Sequence, residues 1–445
     1  ITTGGGSVTL TSNDAARVIN LGTDAAGLNF TDATLERVVS GTGSLTIGDN
    51  AHTGSITVSG ELVNPSNVGG GIVLRNVDSS ININSVLNAG AQGVQLIADG
   101  NDATTATSGV ITQGALGGIV GSTLTTQSKG GTTLNTPGAS NAVGNFSAFE
   151  SGGGNVSFAN TGNLTVSGVG LGTNDNVGSV TIDTTGTLST TGLITTHATS
   201  SNVALSAGGT MTLGQDINPG SSGILTLSSS GAVNMGGKVI SNATSGGGAA
   251  GGLLLTRRGG VGAGNFSFTS TDSDVATIAA NINGSLSYTD ATALTVGSLS
   301  GTNGINTNGQ NVTLVAGGNL TLNQTITATG QTIDLTAAGI TSTGGTVVSN
   351  LLAIRDNNTA TAGVYALGGS VSGIAANISG TLSYTDADAV AVTSAGGLSG
   401  IQTRGGSVTL NSGSVTNGAN QITLLQNIDT RSTPGAGSVA TGGTV

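Results

Sequence analysis

The chain has 445 residues, among them 79 Gly, 4 Pro, no Cys and no Trp, and only 7% are charged, where an ordinary soluble domain has about 25%. The net charge is −11, and the 10 Lys plus Arg are scattered apart from one adjacent pair, which excludes a phosphate-tracking surface for nucleic acid and a face for anionic membranes. No apolar run approaches the roughly 18 residues of a membrane-spanning helix, so neither nucleic-acid binding nor membrane insertion is expected.

In chain order, the recurring element is a short alternating run bounded by Gly, Asn or Ser. Val8-Thr9-Leu10 is the first. Residues 31–39 are the one place that allows a helical turn or two, with a Thr or Asp cap and with Leu35, Val38 and Val39 on one face. Alternation resumes at Leu45-Thr46-Ile47 and Ile56-Thr57-Val58, then at Leu164-Thr165-Val166, Val180-Thr181-Ile182 and Ile333-Asp334-Leu335. Alternation with period two is the strand signal, and Gly or Asn supplies the positive φ of tight corners. Aliphatic and β-branched residues throughout set the chain apart from disordered Gly-rich sequences, so it buries a core many times over.

Two long repeats overlie these short units. Ala280-Asn-Ile-Asn-Gly-Ser-Leu-Ser-Tyr-Thr-Asp290-Ala returns as Ala376-Asn-Ile-Ser-Gly-Thr-Leu-Ser-Tyr-Thr-Asp386-Ala, and residues 280–314 match 376–410 at 21 of 35 positions, at an offset of 96. Residues 202–217 match 311–326 at 10 of 16 positions, at an offset of 109. Comparable triplets, as at Val180, Val203 and Leu225, return every 20-odd residues, about the length of one three-stranded β-helix coil. Coils stacked at the inter-strand spacing of roughly 4.8 Å predict an all-β, right-handed parallel β-helix of about 20 coils and about 100 Å. With no linker or composition break, residues 1–445 read as one continuous segment. Six Phe, three Tyr and no Trp suit a narrow aliphatic lumen better than the larger cores of stacked sandwiches. Corner Asn residues are expected to stack in hydrogen-bonded ladders.

The run Leu35-Glu-Arg-Val-Val-Ser-Gly-Thr-Gly-Ser-Leu-Thr-Ile-Gly-Asp49 followed by Thr53-Gly-Ser-Ile-Thr-Val58, together with Ala316-Gly-Gly-Asn-Leu-Thr-Leu-Asn-Gln-Thr-Ile326 and Gly109-Val-Ile-Thr-Gln-Gly114, resembles the large filamentous-haemagglutinin-like exoproteins of Gram-negative bacteria. The likeness is one of repeat style and spans nearly the whole chain. It implies a right-handed β-helix fibre, export through an outer-membrane partner, and a role in adhesion, aggregation or biofilm. The chain begins at Ile1 with no basic and apolar leader, so it is expected to be an interior piece of a longer secreted or surface protein. The absence of Cys removes disulfide stapling and is compatible with secretion.

Polysaccharide-cleaving enzymes also use β-helices, so carboxylate pairs matter. Asp272 with Asp274 and Asp386 with Asp388 have the i, i+2 spacing that puts two groups on one strand face. Asp388 is Thr292 in the other repeat, and no His or Arg cluster lies near, so these are read as exposed turn residues. His52 and His197, far apart in sequence, are read as solvated corners, and neither suggests a zinc site or a Ser-His-Asp set. Asp49-Asn50 and Asp99-Gly-Asn-Asp102 offer oxygen ligands in turns, but the calcium nonapeptide is absent, and Gly259-Gly-Val-Gly-Ala-Gly264 has Gly where it needs Asp. Arg257-Arg258 is read as a solvated corner. Asn145, Asn163, Asn265, Asn319 and Asn377 head glycosylation triplets of the kind that arise by composition in such a chain.

No catalytic, cofactor-binding or metal residue is therefore assigned, and no cofactor is expected. The expected function is a non-enzymatic structural or adhesive shaft, with host or neighbouring-cell glycans and proteins, or like fibres, as partners and an outer-membrane transporter during export. The alternatives are a head-to-tail self-assembling fibre subunit, a homopolymer, and a polysaccharide lyase or hydrolase on the same fold.

Overall fold

The computed structural model describes residues 1–23, 26–77, 79–99, 109–170, 177–197, 199–241, 251–260, 264–357, 361–413 and 421–432. Among them the only helical segments are Asp32–Leu35 and the 3-10 turn Arg258–Gly260. Everything else regular is strand, and apart from two small hairpins the pairing is parallel. The chain is a parallel β-solenoid of about 15 turns. It packs as two compact units, Ile1–Gly223 and Ile224–Val445.

In the first unit eight strands stack in sequence: Ile19–Leu21, Ile56–Val58, Ile81–Ile83, Ile111–Gln113, Thr132–Leu134, Val156–Asn160, Val180–Thr184 and Val203–Ala207. Register is held residue by residue, as in Val180 on Val203 and Ile182 on Leu205. Alternation then does the sorting: Val180 and Ile182 are fully buried while Thr181 is exposed. A second column runs Val8–Leu10, Leu45–Ile47, Ile72–Arg75 and Gly93–Ile97, and continues to Leu188–Thr190 and Met211–Leu213. Each inward aliphatic contributes about 1.5–3 kcal/mol by leaving water, and Phe146 stacks on Phe158 with ring centroids 4.3 Å apart.

The turns are fewer than the roughly 20 expected because several are long. Strand starts Ile19 and Ile56 lie 37 positions apart, and Ile81 and Ile111 lie 30 apart. The first long turn contains the expected helical segment, Asp32–Leu35, whose Leu35 is buried together with Val38.

Corner amides hold successive turns together, by Asn on Asn where Asn308 reaches Asn281 and otherwise mostly through the main chain of the next turn. The side-chain oxygens of Asn155 and Asn163 accept the backbone N–H groups of Ser179 and Thr187 in the next turn, at 2.8 and 3.0 Å. Inside the first unit, Asn141 bridges Gln113, the Leu134 carbonyl and the Ala159 carbonyl. An amide carries both donor and acceptor, so one side chain satisfies several buried main-chain groups at once.

In the second unit the long repeat is a repeat of structure. Leu286–Asp290 pairs with Phe266–Phe268 and Val312–Ala316; 96 positions on, Gly380–Asp386 pairs with Gly363–Asn377 and Val408–Ser412. Each copy also folds out an antiparallel hairpin, Ser298–Leu299 with Thr302–Asn303 and Ser394–Ala395 with Leu398–Ser399. Gly304 and Gly400 follow these hairpins at φ 68° and 73°, and a Cβ on either would collide with a carbonyl oxygen of the next turn, that of Thr325 or Asn427. Both the conformation and the space demand Gly there.

Candidate functional site

The most developed polar constellation is the one that the repeat duplicates. In the strand Leu286–Asp290, alternation turns Leu286, Tyr288 and Asp290 inward; in Gly380–Asp386 it does the same for Leu382, Tyr384 and Asp386. Tyr288 and Tyr384 are fully buried, and Asp290 and Asp386 are 2% and 0% exposed. The phenols donate to Oδ2 of Asp290 and Asp386 at 2.8 and 2.7 Å. The same oxygens accept the N–H groups of Val275 and Val371, both at 2.9 Å. Each Oδ1 accepts the N–H two residues on, from Thr292 at 3.0 Å and Asp388 at 2.8 Å. Three donors per carboxylate are what a buried charge requires.

Electrostatics follow from this burial. Burial pushes the Tyr288 phenol well up, and the charge of Asp290, the hydrogen bond to it and the charge of Asp274 add to this. Tyr384 is pushed well above the usual tyrosine range by burial, then by the hydrogen bond to Asp386 and its charge. Burial also raises Asp290, although its backbone and phenol hydrogen bonds pull the other way. Phenols raised in this way stay protonated at neutral pH and serve as hydrogen-bond donors to the carboxylates.

The reading of Asp272, Asp274, Asp386 and Asp388 as exposed turn residues holds for Asp272 and Asp388 and is corrected for Asp274 and Asp386, which are buried. Asp386 is fully buried and ends its strand, and the chain turns so that Asp388 is exposed. Asp274 is 8% exposed while Asp272 is exposed, and neither lies in a strand. Asp386 therefore pairs with Tyr384, two residues earlier, and not with a second carboxylate. The signal was present in the alternation of Leu382, Tyr384 and Asp386.

Beside each Tyr–Asp pair sits a second tie whose polarity is reversed between the copies. In the first, Thr292 Oγ1 donates to Asp274 Oδ1 at 2.9 Å; in the second, Ser370 Oγ donates to Asp388 Oδ2 at 3.0 Å. Position 274 corresponds to 370 and position 292 to 388, so the carboxylate has changed sides while the hydrogen bond between neighbouring turns is kept.

His52 is also corrected: it is 1% exposed, and neither ring nitrogen has a hydrogen-bond partner among the described residues. Burial lowers its pKa below the ordinary 6.5, against the opposing charges of Asp49 and Asp14. His197 is exposed as expected. Asp49 caps the Ala51 N–H, while Asn50 accepts from Arg75 Nη1 at 2.7 Å. Asp99 is 6% exposed and accepts from Ser151 at 2.6 Å; Asn101 and Asp102 lie outside the described residues. Among the described residues no group of three or more His, Asp or Glu is placed to hold a metal ion.

Arg257 and Arg258 are half-buried, not freely solvated, and Arg257 donates to Asn283 at 2.7 Å. The stretch 261–263 of the glycine-rich run lies outside the described residues. Of the glycosylation triplets, Asn163 and Asn265 use their side-chain oxygens to bind the next turn, and Asn377 accepts from Arg404. No family model, no curated protein and no solved structure matches the chain.

Proposed function

We propose that the chain is part of the shaft of a large secreted, filamentous-haemagglutinin-like surface protein, a right-handed solenoid that acts in adhesion, aggregation or biofilm and not in catalysis. The carrying observation is the outward ladder of the first unit. Thr57, Asn82, Thr112, Thr133, Ser157, Thr181 and Ala204 stand in register over seven turns without one charge. Thr112 donates to Asn82 at 2.9 Å, so the ladder is knitted along the stack. A long neutral surface of hydroxyls and amides supports contact with glycans, other surface proteins or like fibres without salt-dependent steering. The right hand follows the crossover preference of parallel strands, and export by an outer-membrane transporter follows from the resemblance.

The test is adhesion of beads coated with the purified chain to host and bacterial cells. Binding that exceeds beads coated with an unrelated β-protein, and that persists at high salt, supports the reading; equal binding refutes it. Association of like chains is the second reading, favoured by Leu424 and Leu425, exposed by 61% and 63% beside the recess lined by Val408, Leu410 and Ile428. Sedimentation that shifts with concentration in the parent and not in Leu424→Lys supports it.

A further inference from the structure

The two copies of the long repeat diverge at the hairpin and the turn behind it, where Thr302, Asn303, Asn306 and Asn308 are replaced by Leu398, Ser399, Gln402 and Arg404. The scaffold under these changes is conserved. Asn308 and Arg404 both take positive φ, 51° and 50°, and both reach back toward the side-chain oxygen of the corresponding residue, Asn281 or Asn377. The second hairpin is firmly seated. Ala395 packs on Ala353 and Ala375, and Arg355, paired with Asp334 at 2.9 Å, also donates to the Gly396 carbonyl.

Beside this hairpin lies a cavity of about 280 Å³, lined by Asn377, Leu398, Ser399, Gln402, Asn427 and Asp429 among others. Asn377, Gln402 and Asp429 are in register on three successive turns, which spaces their polar groups by about 4.8 Å. Asp429 is held by Arg431 at 2.7 Å and Ser399 by Gln426 at 3.0 Å. The Gln402 amide is half-buried and the Asn427 amide exposed, and neither has a hydrogen-bond partner among the described residues. The same ladder in the first copy reads Asn281, Asn306 and Thr327, with Thr302 in place of the apolar Leu398.

From this juxtaposition of an apolar wall, two unpartnered amides and a carboxylate, we infer that the second hairpin and its neighbouring turns form a binding site for one ring of a neutral saccharide. Amides offer a donor and an acceptor each, and the carboxylate accepts, which matches neighbouring hydroxyls. Leu398 covers the C–H face of the ring. The volume is at the foot of the roughly 300–1,000 Å³ range of small-molecule sites and fits a single ring. Arg431 is paired with Asp429 and Arg404 is spent on Asn377, so the donors and acceptors left free among the described residues are the two neutral amides, which match uncharged hydroxyls. The site gives the proposed adhesive surface a ligand class, and rests on that reading.

The test is saturation-transfer NMR on the full chain with the methyl glycosides of glucose, galactose, mannose and N-acetylglucosamine. Transfer to at least one glycoside is expected in the parent, weakened about tenfold or more in Gln402→Ala/Asn427→Ala, the effect of losing two ordinary hydrogen bonds. Leu398→Thr, which installs the residue of the first copy, should weaken it while preserving the fold, and Asn306→Ala in the first copy should leave it unchanged. No transfer to any of the four glycosides, or transfer undiminished in Gln402→Ala/Asn427→Ala, overturns the site. The bead assay separates the two ideas: if coated beads still bind cells, only the saccharide site falls, whereas beads that do not bind refute the adhesive reading by themselves.

Discussion

The reversed tie beside the two Tyr–Asp pairs predicts a strong, removable coupling. Thr292→Asp puts a second carboxylate where Thr292 Oγ1 now lies, 2.9 Å from Asp274 Oδ1, with Asp274 only 8% exposed. Two carboxylates at about 4 Å and an effective dielectric near 20 repel by about 4 kcal/mol. Because position 292 is open to water, screening leaves about 2 kcal/mol. Asp274→Ser alone leaves two hydroxyls that still pair, and costs about 0.5–1 kcal/mol.

The double change Asp274→Ser with Thr292→Asp reproduces the arrangement of Ser370 and Asp388, and should return within about 0.5 kcal/mol of the parent, a coupling of about 2 kcal/mol. A stacked-repeat chain need not unfold in one step, so the readout is local: hydrogen exchange at the amides of Val275 and Ala291, which donate to Asp290 Oδ2 and the Ser273 carbonyl. The single Thr292→Asp should speed exchange there by about 30-fold, and the double should not. The penalty should also fade as pH drops into the carboxylate range, where one of the two carboxylates takes a proton. If the double variant exchanges as fast as the two singles combined, the reversed tie is coincidence and the reasoning fails.

Tyr288→Phe and Tyr384→Phe each remove one of three donors from a buried carboxylate and should destabilise the surrounding turns by about 1.5–3 kcal/mol, seen as faster exchange at Val275 and Val371 respectively; equal rates in parent and variant would refute the structural role. Asn141→Leu strands Gln113 and two carbonyls inside the first unit and should cost about 2–4 kcal/mol, measured as a lower midpoint of the first thermal transition. For His52 the folded pKa lies below 6.5, so the unfolded chain binds the proton more readily, and stability is full above pH 6.5 and declines as pH falls from there toward the lowered folded value. Protection of the Thr53 and Gly54 amides, which donate to the Ala15 carbonyl at 2.8 and 2.9 Å, should fall over that window in the parent and stay flat in His52→Phe; parallel profiles would exclude His52 as the cause.

What the sequence makes legible here is what a repeated local rule controls. Val8-Thr9-Leu10, Leu45-Thr46-Ile47 and Val180-Thr181-Ile182 are strands because their alternation needs nothing from elsewhere in the chain. The number of turns was less legible, since a turn lengthens wherever a loop or hairpin is inserted, and an insertion such as residues 298–303 follows no period. The burial of His52 was hidden for a related reason: it sits in the turn after Leu45–Ile47, where no alternation says which way a side chain points. Asp386 is different, because alternation did place it beside Tyr384 on the inward face. The misreading came from taking it together with Asp388 as an exposed turn residue, when the strand runs through Asp386 and ends there.

The duplication also weighs the structural account of these carboxylates against a catalytic one. A catalytic pair must keep each group at its own place, since the acid and the base face different parts of a substrate. Here the inward carboxylate is fixed in both copies, as Asp290 and Asp386, and fully enclosed by the same donors. Its neighbour moves freely between the two ends of one hydrogen bond, Asp274 in the first copy and Asp388 in the second. A tie between adjacent turns tolerates that exchange because the hydrogen bond has the same worth in either direction. A reaction centre does not, so the exchange of Asp274–Thr292 for Ser370–Asp388 favours reading both sites as the fastening of turn to turn.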